Sequence, residues 1–288
     1  MQETITDTQN NFEAPQPPVP FALESPTPNN PPWNSGVAVV TWLASVFLIV
    51  AIPALFLLPY ILTLGGKYLD STELTDFLKS DPTAIILQIG AVIPAHVLTI
   101  LLAWFVVTRA RSFPFFQTLG WRSGGMQWWH YGGIAAGFFV LTIIVGNFFP
   151  EQENDLIRIL KSSRTAVFLV AFMATFTAPL VEEVIYRGIL YSAFQRTFGV
   201  TIAVIAVTFL FALVHVPQYY PSYSTIFLLT VLSLTLTLIR VRSDNLLPCV
   251  VLHTIFNALQ SCLLILEPYI ESKATPPDAV TAILYLLK

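Results

Sequence analysis

Charge is what this chain most lacks. Only 11% of its 288 residues are Asp, Glu, Lys or Arg, and 55% are hydrophobic; a soluble globular domain carries about 25% charged residues. With mean hydropathy +0.69, that scarcity excludes an ordinary soluble domain and points to a polytopic membrane protein. The formal net charge is only −3, which speaks for neither nucleic acid nor an acidic partner. Cysteine is nearly absent as well. Cys249 and Cys262 fall in one apolar segment, where one helix would separate them by about 20 Å, too far for a disulfide. They read as small buried hydrophobes. Residues 1–35 contain no Lys or Arg and eight prolines. They lack the basic start and early apolar core of a signal peptide, so the first span is expected to remain as an anchor. The Pro-rich composition predicts a disordered tail over 1–35, partly polyproline II. Also missing are a Gly-rich phosphate loop, a His-Glu-x-x-His helix, a Cys metal cluster and a Gly-x-Ser-x-Gly elbow.

Long apolar runs are abundant. A span needs about 20 such residues, and seven stretches qualify: 37–63, 84–108, 128–149, 165–194, 200–216, 223–239 and 245–266. Trp128 and Trp129 open the third as an interfacial anchor. The segment 278–288 is apolar but too short to cross. Helices alone satisfy their own backbone in lipid at these lengths, so the expected fold is all-α, a polytopic bundle of about seven to eight transmembrane helices. The expected organisation is the tail 1–35, N-terminal helices and loops over 36–164, a catalytic core over 165–266 and a C-terminal tail over 267–288. Loops 64–83 and 150–164 mix both charge signs and suit short surface helices. No internal repeat supports an inverted-repeat transporter.

Basic residues do not orient the bundle. Arg109, Arg111, Arg122, Arg196, Arg240 and Arg242 fall on one side; Lys67, Lys79, Arg158, Lys161, Arg164, Lys273 and Lys288 fall on the other. The arginines crowd the span ends, which leans that side toward the cytoplasm.

Three motifs break the apolar spans: Glu182-Glu183-x-x-x-Arg187, Phe211-x-x-x-His215 and His253-x-x-x-Asn257. A charge at the centre of a membrane helix costs at least about 2.5–3.5 kcal/mol, so such residues are functional candidates. At 1.5 Å rise per residue, Glu182, His215, His253 and Asn257 lie about 18, 21, 12 and 18 Å from span ends on one membrane face. They converge near mid-bilayer. The i,i+4 spacing lets Glu183 pair with Arg187. Glu182 is rotated about 100° away, which leaves it the freer acid and a candidate base for activating water. His215 suits orienting that water or binding a metal. His253 and Asn257 share a face and suit stabilising an oxyanion. Phe211 should pack under His215 or line the pocket. Pro179, just before the acid pair, favours a kink that would admit water. His96 and His130 read as helix-packing groups. Gln88, Asn147 and Gln260 read as hydrogen-bonders between helices.

At these motifs the chain resembles the CPBP family, the CaaX proteases and bacteriocin-processing enzymes also called Abi or type II CaaX prenyl endopeptidases. The pattern is Glu-Glu-x-x-x-Arg, Phe-x-x-x-His and His-x-x-x-Asn/Asp. It occurs here in order as EEVIYR at 182–187, FALVH at 211–215 and HTIFN at 253–257, covering roughly residues 165–266. The resemblance implies an intramembrane endopeptidase with a conical bundle open to the cytosolic side, a peptide or protein substrate (prenylated or not) and surrounding membrane lipid. Family members are described as metalloproteases or as glutamate-type proteases. No cofactor is favoured, since no third strong ligand stands out beyond Glu182, His215 and His253, though those three would be the zinc ligands of a metal site. A non-catalytic scaffold or bacteriocin-immunity protein on the same fold is the alternative, and a proton-coupled transporter a third. The depth argument predicts that the site opens on the face bearing Arg196, Arg240 and Arg242.

Overall fold

The structure is a computed structural model describing residues 25–65, 71–150 and 152–271. Within these the chain is helical without strands. It forms α1 (Ser35–Thr63), α2 (Ser71–Ser80), α3 (Pro82–Thr108), α4 (Phe115–Leu119), α5 (Trp128–Phe148) and α6 (Asp155–Ser162). There follow α7 (Arg164–Phe198), α8 (Val200–Tyr219), α9 (Tyr223–Ser243) and α10 (Leu247–Glu271). Among the described residues, seven helices are long and apolar enough to cross a membrane: α1, α3, α5, α7, α8, α9 and α10. The protein is an all-α, multi-pass membrane bundle. The surface helices expected in 64–83 and 150–164 are α2 and α6. The apolar segment 278–288 lies outside the described residues.

Local chemistry sets the helix ends. Asn34 accepts from the Val37 amide at 2.9 Å to start α1. Asp81 accepts from the Ala84 amide at 2.8 Å, with Pro82 in the first turn of α3. Side-chain oxygens satisfy amides that an α-helix leaves unpaired at its start. Gly199, at φ +82°, makes the break between α7 and α8 that a side chain would resist.

α7 is the central helix, packed against α1, α3, α8 and α10, while α5 packs against α9 and α10. It is not a uniform α-helix. Met173–Thr177 and Val184–Leu190 are π-helical, and Ala178–Glu183 between them is α-helical. The expected break at Pro179 thus takes the form of a change of register. Pro179 has no N–H to give, and in the i→i−5 register the carbonyl left without a donor is that of Ala174. The Asn257 amide on α10 donates to it at 2.8 Å. Such π turns cluster at functional sites.

The two membrane faces are packed differently. Toward the first face, the start of α1, the ends of α3 and α7, the first half of α8 and the start of α10 share one core. Trp33, Val107, Leu119, Ile189, Val207 and Leu246 belong to it. Residues 25–34 close this face. Trp33 Nε1 donates to the Ile189 carbonyl at 3.0 Å, Gln195 donates to the Asn29 carbonyl at 2.8 Å, and Arg240 donates to the Pro28 carbonyl at 2.7 Å. The disordered tail expected over 1–35 therefore reaches too far: 25–34 are held by hydrogen bonds that proline content alone does not forbid. Residues 1–24 lie outside the described residues. Gly120, at φ +76°, fits this layer because a Cβ there would meet Pro28 at 2.7 Å and Asn245 at 2.9 Å. Toward the second face, where α6 lies, the bundle splays around a cavity.

Candidate active site

The three motifs meet at the inner end of that cavity, which has a volume of about 940 Å³. Glu182, His215, His253 and Asn257 all line it. Glu183 and Arg187 stand behind, each with its side chain fully buried. Glu183 is thus the acid paired with Arg187, and Glu182 the acid on the cavity wall.

Every nitrogen of Arg187 has a partner. It donates from Nη1 to Glu183 Oε1 at 2.9 Å, from Nε to Thr237 Oγ1 at 3.2 Å, and from Nη2 to the Ser233 hydroxyl and carbonyl at 2.8 and 2.9 Å. Its guanidinium also lies 4.7 Å from the Phe211 ring centroid. A buried charge is tolerated only with such complete pairing. Ser233 and Thr237 were missed in the sequence; their i,i+4 spacing on an otherwise apolar span was the available signal. Phe211 is buried between Arg187 and the His215 ring, 4.7 Å away centre to centre.

The two histidines are oriented alike. His215 Nδ1 lies 2.7 Å from the Phe211 carbonyl. A carbonyl only accepts, so Nδ1 carries the proton and Nε2 points elsewhere. His253 Nδ1 lies 2.8 Å from Glu183 Oε1, where Nδ1–H is again the donor. Both Nε2 atoms then turn to Glu182, at 3.9 Å from Oε1 for His215 and 3.8 Å from Oε2 for His253. Both gaps exceed a direct hydrogen bond, and a water would reach acid and imidazole together only from beside the pair, on the cavity side.

Asn257 departs from expectation. It does not stand as a free partner to His253, because its amide nitrogen is already donating to Ala174. One further N–H of that amide remains for the cavity. His96 and Thr177 also approach the site, beyond the motifs. His96 lines the cavity from α3, and its Nδ1 lies 2.8 Å from Thr177 Oγ1.

The side of opening is a correction. The cavity reaches Phe149, Asp155, Lys161 and Arg164, then Gln218 on α8 and Glu267 on α10, all toward the second face. On the face bearing Arg196, Arg240 and Arg242, Tyr191 and Leu246 are buried in the solid core. Depth measured from one span end fixes how far in a residue lies but is blind to which half of the bundle is filled.

A zinc ion would find the right donor types in Glu182, His215 and His253, with each imidazole held through its other nitrogen. The spacing does not fit. Donors sharing one tetrahedral zinc lie about 3.3 Å apart, and among the described residues no group of three His, Cys, Asp or Glu side chains is arranged to hold a metal ion.

Residues 164–259 match the family model for type II CAAX prenyl endopeptidase Rce1-like proteins. The chain carries an Rce1-like domain. The match supports a CPBP family intramembrane protease, hence a peptide hydrolase. The Rce1-like segment runs from the first residue of α7 to the middle of α10 and contains all three motifs. No curated protein and no solved structure matched the chain.

Proposed function

We propose that the protein is an endopeptidase that hydrolyses a peptide bond inside the membrane, with Glu182 as the base. The observation that carries this is the position of Glu182, which lies 3.9 and 3.8 Å from the two imidazole Nε2 atoms on the cavity wall, where a water beside the pair meets both. Glu182 removes a proton from a water held toward His215. The water oxygen attacks the scissile carbonyl carbon. His253 keeps Nδ1–H on Glu183 and, when its other nitrogen carries a proton, presents Nε2–H to the oxyanion, and the remaining Asn257 N–H assists. When the tetrahedral intermediate collapses, Glu182 passes its proton to the leaving nitrogen. Glu183 and Arg187 touch no substrate and hold the helix and His253 in place.

The substrate reaches the site as an extended peptide through the cavity at the second face. The cavity wall is mainly apolar, with Val46, Ile89, Val92 and Leu228 among its residues, which suits a peptide carrying a lipid group. By the resemblance we place that opening on the cytosolic side. The two orientation expectations then diverge, because the arginine-rich face lies opposite. Two of those arginines are structural: Arg240 is fully buried, and Arg196 donates to the Trp33 carbonyl at 2.9 Å. The organisation we propose keeps a catalytic core over 165–266, with α1–α6 as the supporting wall. The test is incubation of purified protein in liposomes with prenylated CaaX peptides, with products identified by mass spectrometry. Cleavage lost in Glu182→Gln and His215→Ala supports the reading. No product from any peptide, alongside normal folding, supports the non-catalytic scaffold instead.

A further inference from the structure

His96 lies on α3, outside both the three motifs and the segment 164–259. It is 7% exposed and forms part of the cavity wall. It also borders a second, shallow groove of about 270 Å³ on the outer side of the bundle, among Val97, Leu101, Phe176 and Leu180. The hydrogen bond from His96 Nδ1 to Thr177 Oγ1 (2.8 Å) crosses from one helix to the other. Thr177 Oγ1 in turn donates to the Met173 carbonyl at 3.3 Å, so Oγ1 accepts from the imidazole and Nδ1 holds the proton.

Thr177 is the last residue of the first π stretch. Its φ of −100° marks where the i→i−5 register returns to α. The Ala178 amide donates to that same Met173 carbonyl, closing the π turn. Only Ala178–Glu183 separate this turn from the next π stretch, and both carboxylates sit there. A π turn is one extra residue in a helix. If it moved past the acid pair, every side chain it crossed would rotate by about 100°. That is the angle between Glu182 and Glu183. The position of this turn therefore decides whether Glu182 or Val181 faces the cavity, and whether Glu183 or Glu182 faces Arg187. From α10, Asn257 holds Ala174, and the Ser261 hydroxyl lies 3.2 Å from Thr175 Oγ1. From α3, His96 holds the exit residue.

We propose that His96 is a positioning residue: through Thr177 it fixes the π turn in α7 and thereby turns Glu182, in place of Val181, toward His215. The assignment rests on the reading of Glu182 as the base for its catalytic meaning, but the geometry can be tested without activity. His96→Leu keeps the wall between cavity and groove and removes the hydrogen bond. His96→Gln keeps a donor.

In full-length protein with Cys262→Ser, two cysteine pairs are compared: Glu182→Cys with His215→Cys, and Val181→Cys with His215→Cys. Each is treated with a short bifunctional methanethiosulfonate. With His96 present, the 182–215 pair should cross-link at least about fivefold more than the 181–215 pair, as a turn of about 100° predicts. His96→Leu should collapse that preference and His96→Gln should preserve it. In protein with its site intact, cleavage of a prenylated CaaX peptide should fall about 10–10²-fold in kcat for His96→Leu with KM held. Thr177→Val should do the same, and the double variant should be no worse. An unchanged cross-linking preference in His96→Leu overturns the proposal. Retained cleavage in Glu182→Gln would instead overturn the base assignment and leave the register result standing.

Discussion

His253 Nδ1 lies 2.8 Å from Glu183 Oε1, the same oxygen that accepts from Arg187 at 2.9 Å. One oxygen thus joins α7 to α10 and, through Arg187 and Ser233, to α9. Glu183 Oε2 is buried without a partner. The carboxylate is committed to orienting groups and is poorly placed to handle substrate, whereas Glu182 faces the cavity.

That division predicts separate phenotypes for the two acids. Glu182→Gln should keep normal membrane yield and thermal stability and lose at least about 10²-fold in turnover, the usual contribution of a positioned base. Near-normal cleavage by this variant would end its assignment as the base.

Arg187→Ala should lower stability as well as activity. Removing one partner of a buried ion pair leaves the other charge uncompensated, at a cost of about 3–5 kcal/mol. Thermal unfolding in detergent, followed by tryptophan fluorescence, measures it. A variant as stable as the parent but inactive would move Arg187 from support into the chemistry.

Metal dependence follows from donor spacing. Glu182 stands 3.8 and 3.9 Å from the two imidazoles, wider than ligands of one zinc. Cleavage should therefore survive prolonged treatment with a strong zinc chelator. Activity lost on chelation and restored by stoichiometric zinc would mean that the three side chains close on a metal.

The spans were legible because apolar length is a one-dimensional property: each of the seven runs contains a membrane helix, with ends shifted by a few residues. The grouping of Glu182, His215, His253 and Asn257 was legible because depth adds up residue by residue. The rest depended on packing between distant segments. The first π turn of α7, beside Pro179, leaves the Ala174 carbonyl to Asn257, 78 positions after that proline. His96 looked like an isolated packing histidine because its partner, Thr177, is 81 residues away. The order of residues 25–34 comes from Gln195, Arg196 and Arg240, none of them visible in a local Pro-rich composition.

The cavity makes its own prediction about access. An extended backbone cannot cross lipid with its polar groups unsatisfied, so the peptide must come through a water-filled opening. Among the described residues the first face offers none: Leu246 and Tyr191 are buried there, and Pro28 to Trp33 are bonded over the ends of α7 and α9. At the second face, Leu160 on α6 and Leu264 on α10 line the cavity. In a Cys262→Ser background, cysteines at Leu160 and Leu264 should react with a membrane-impermeant maleimide, and both from the same side of sealed vesicles. A peptide inhibitor bound in the cavity should protect them. Cysteines at Leu246 and Tyr191 should stay unreactive until the protein is denatured. Fast labelling at Leu246 from the opposite side would mean that the Pro28–Trp33 segment opens in the membrane, and that the substrate has a second way in.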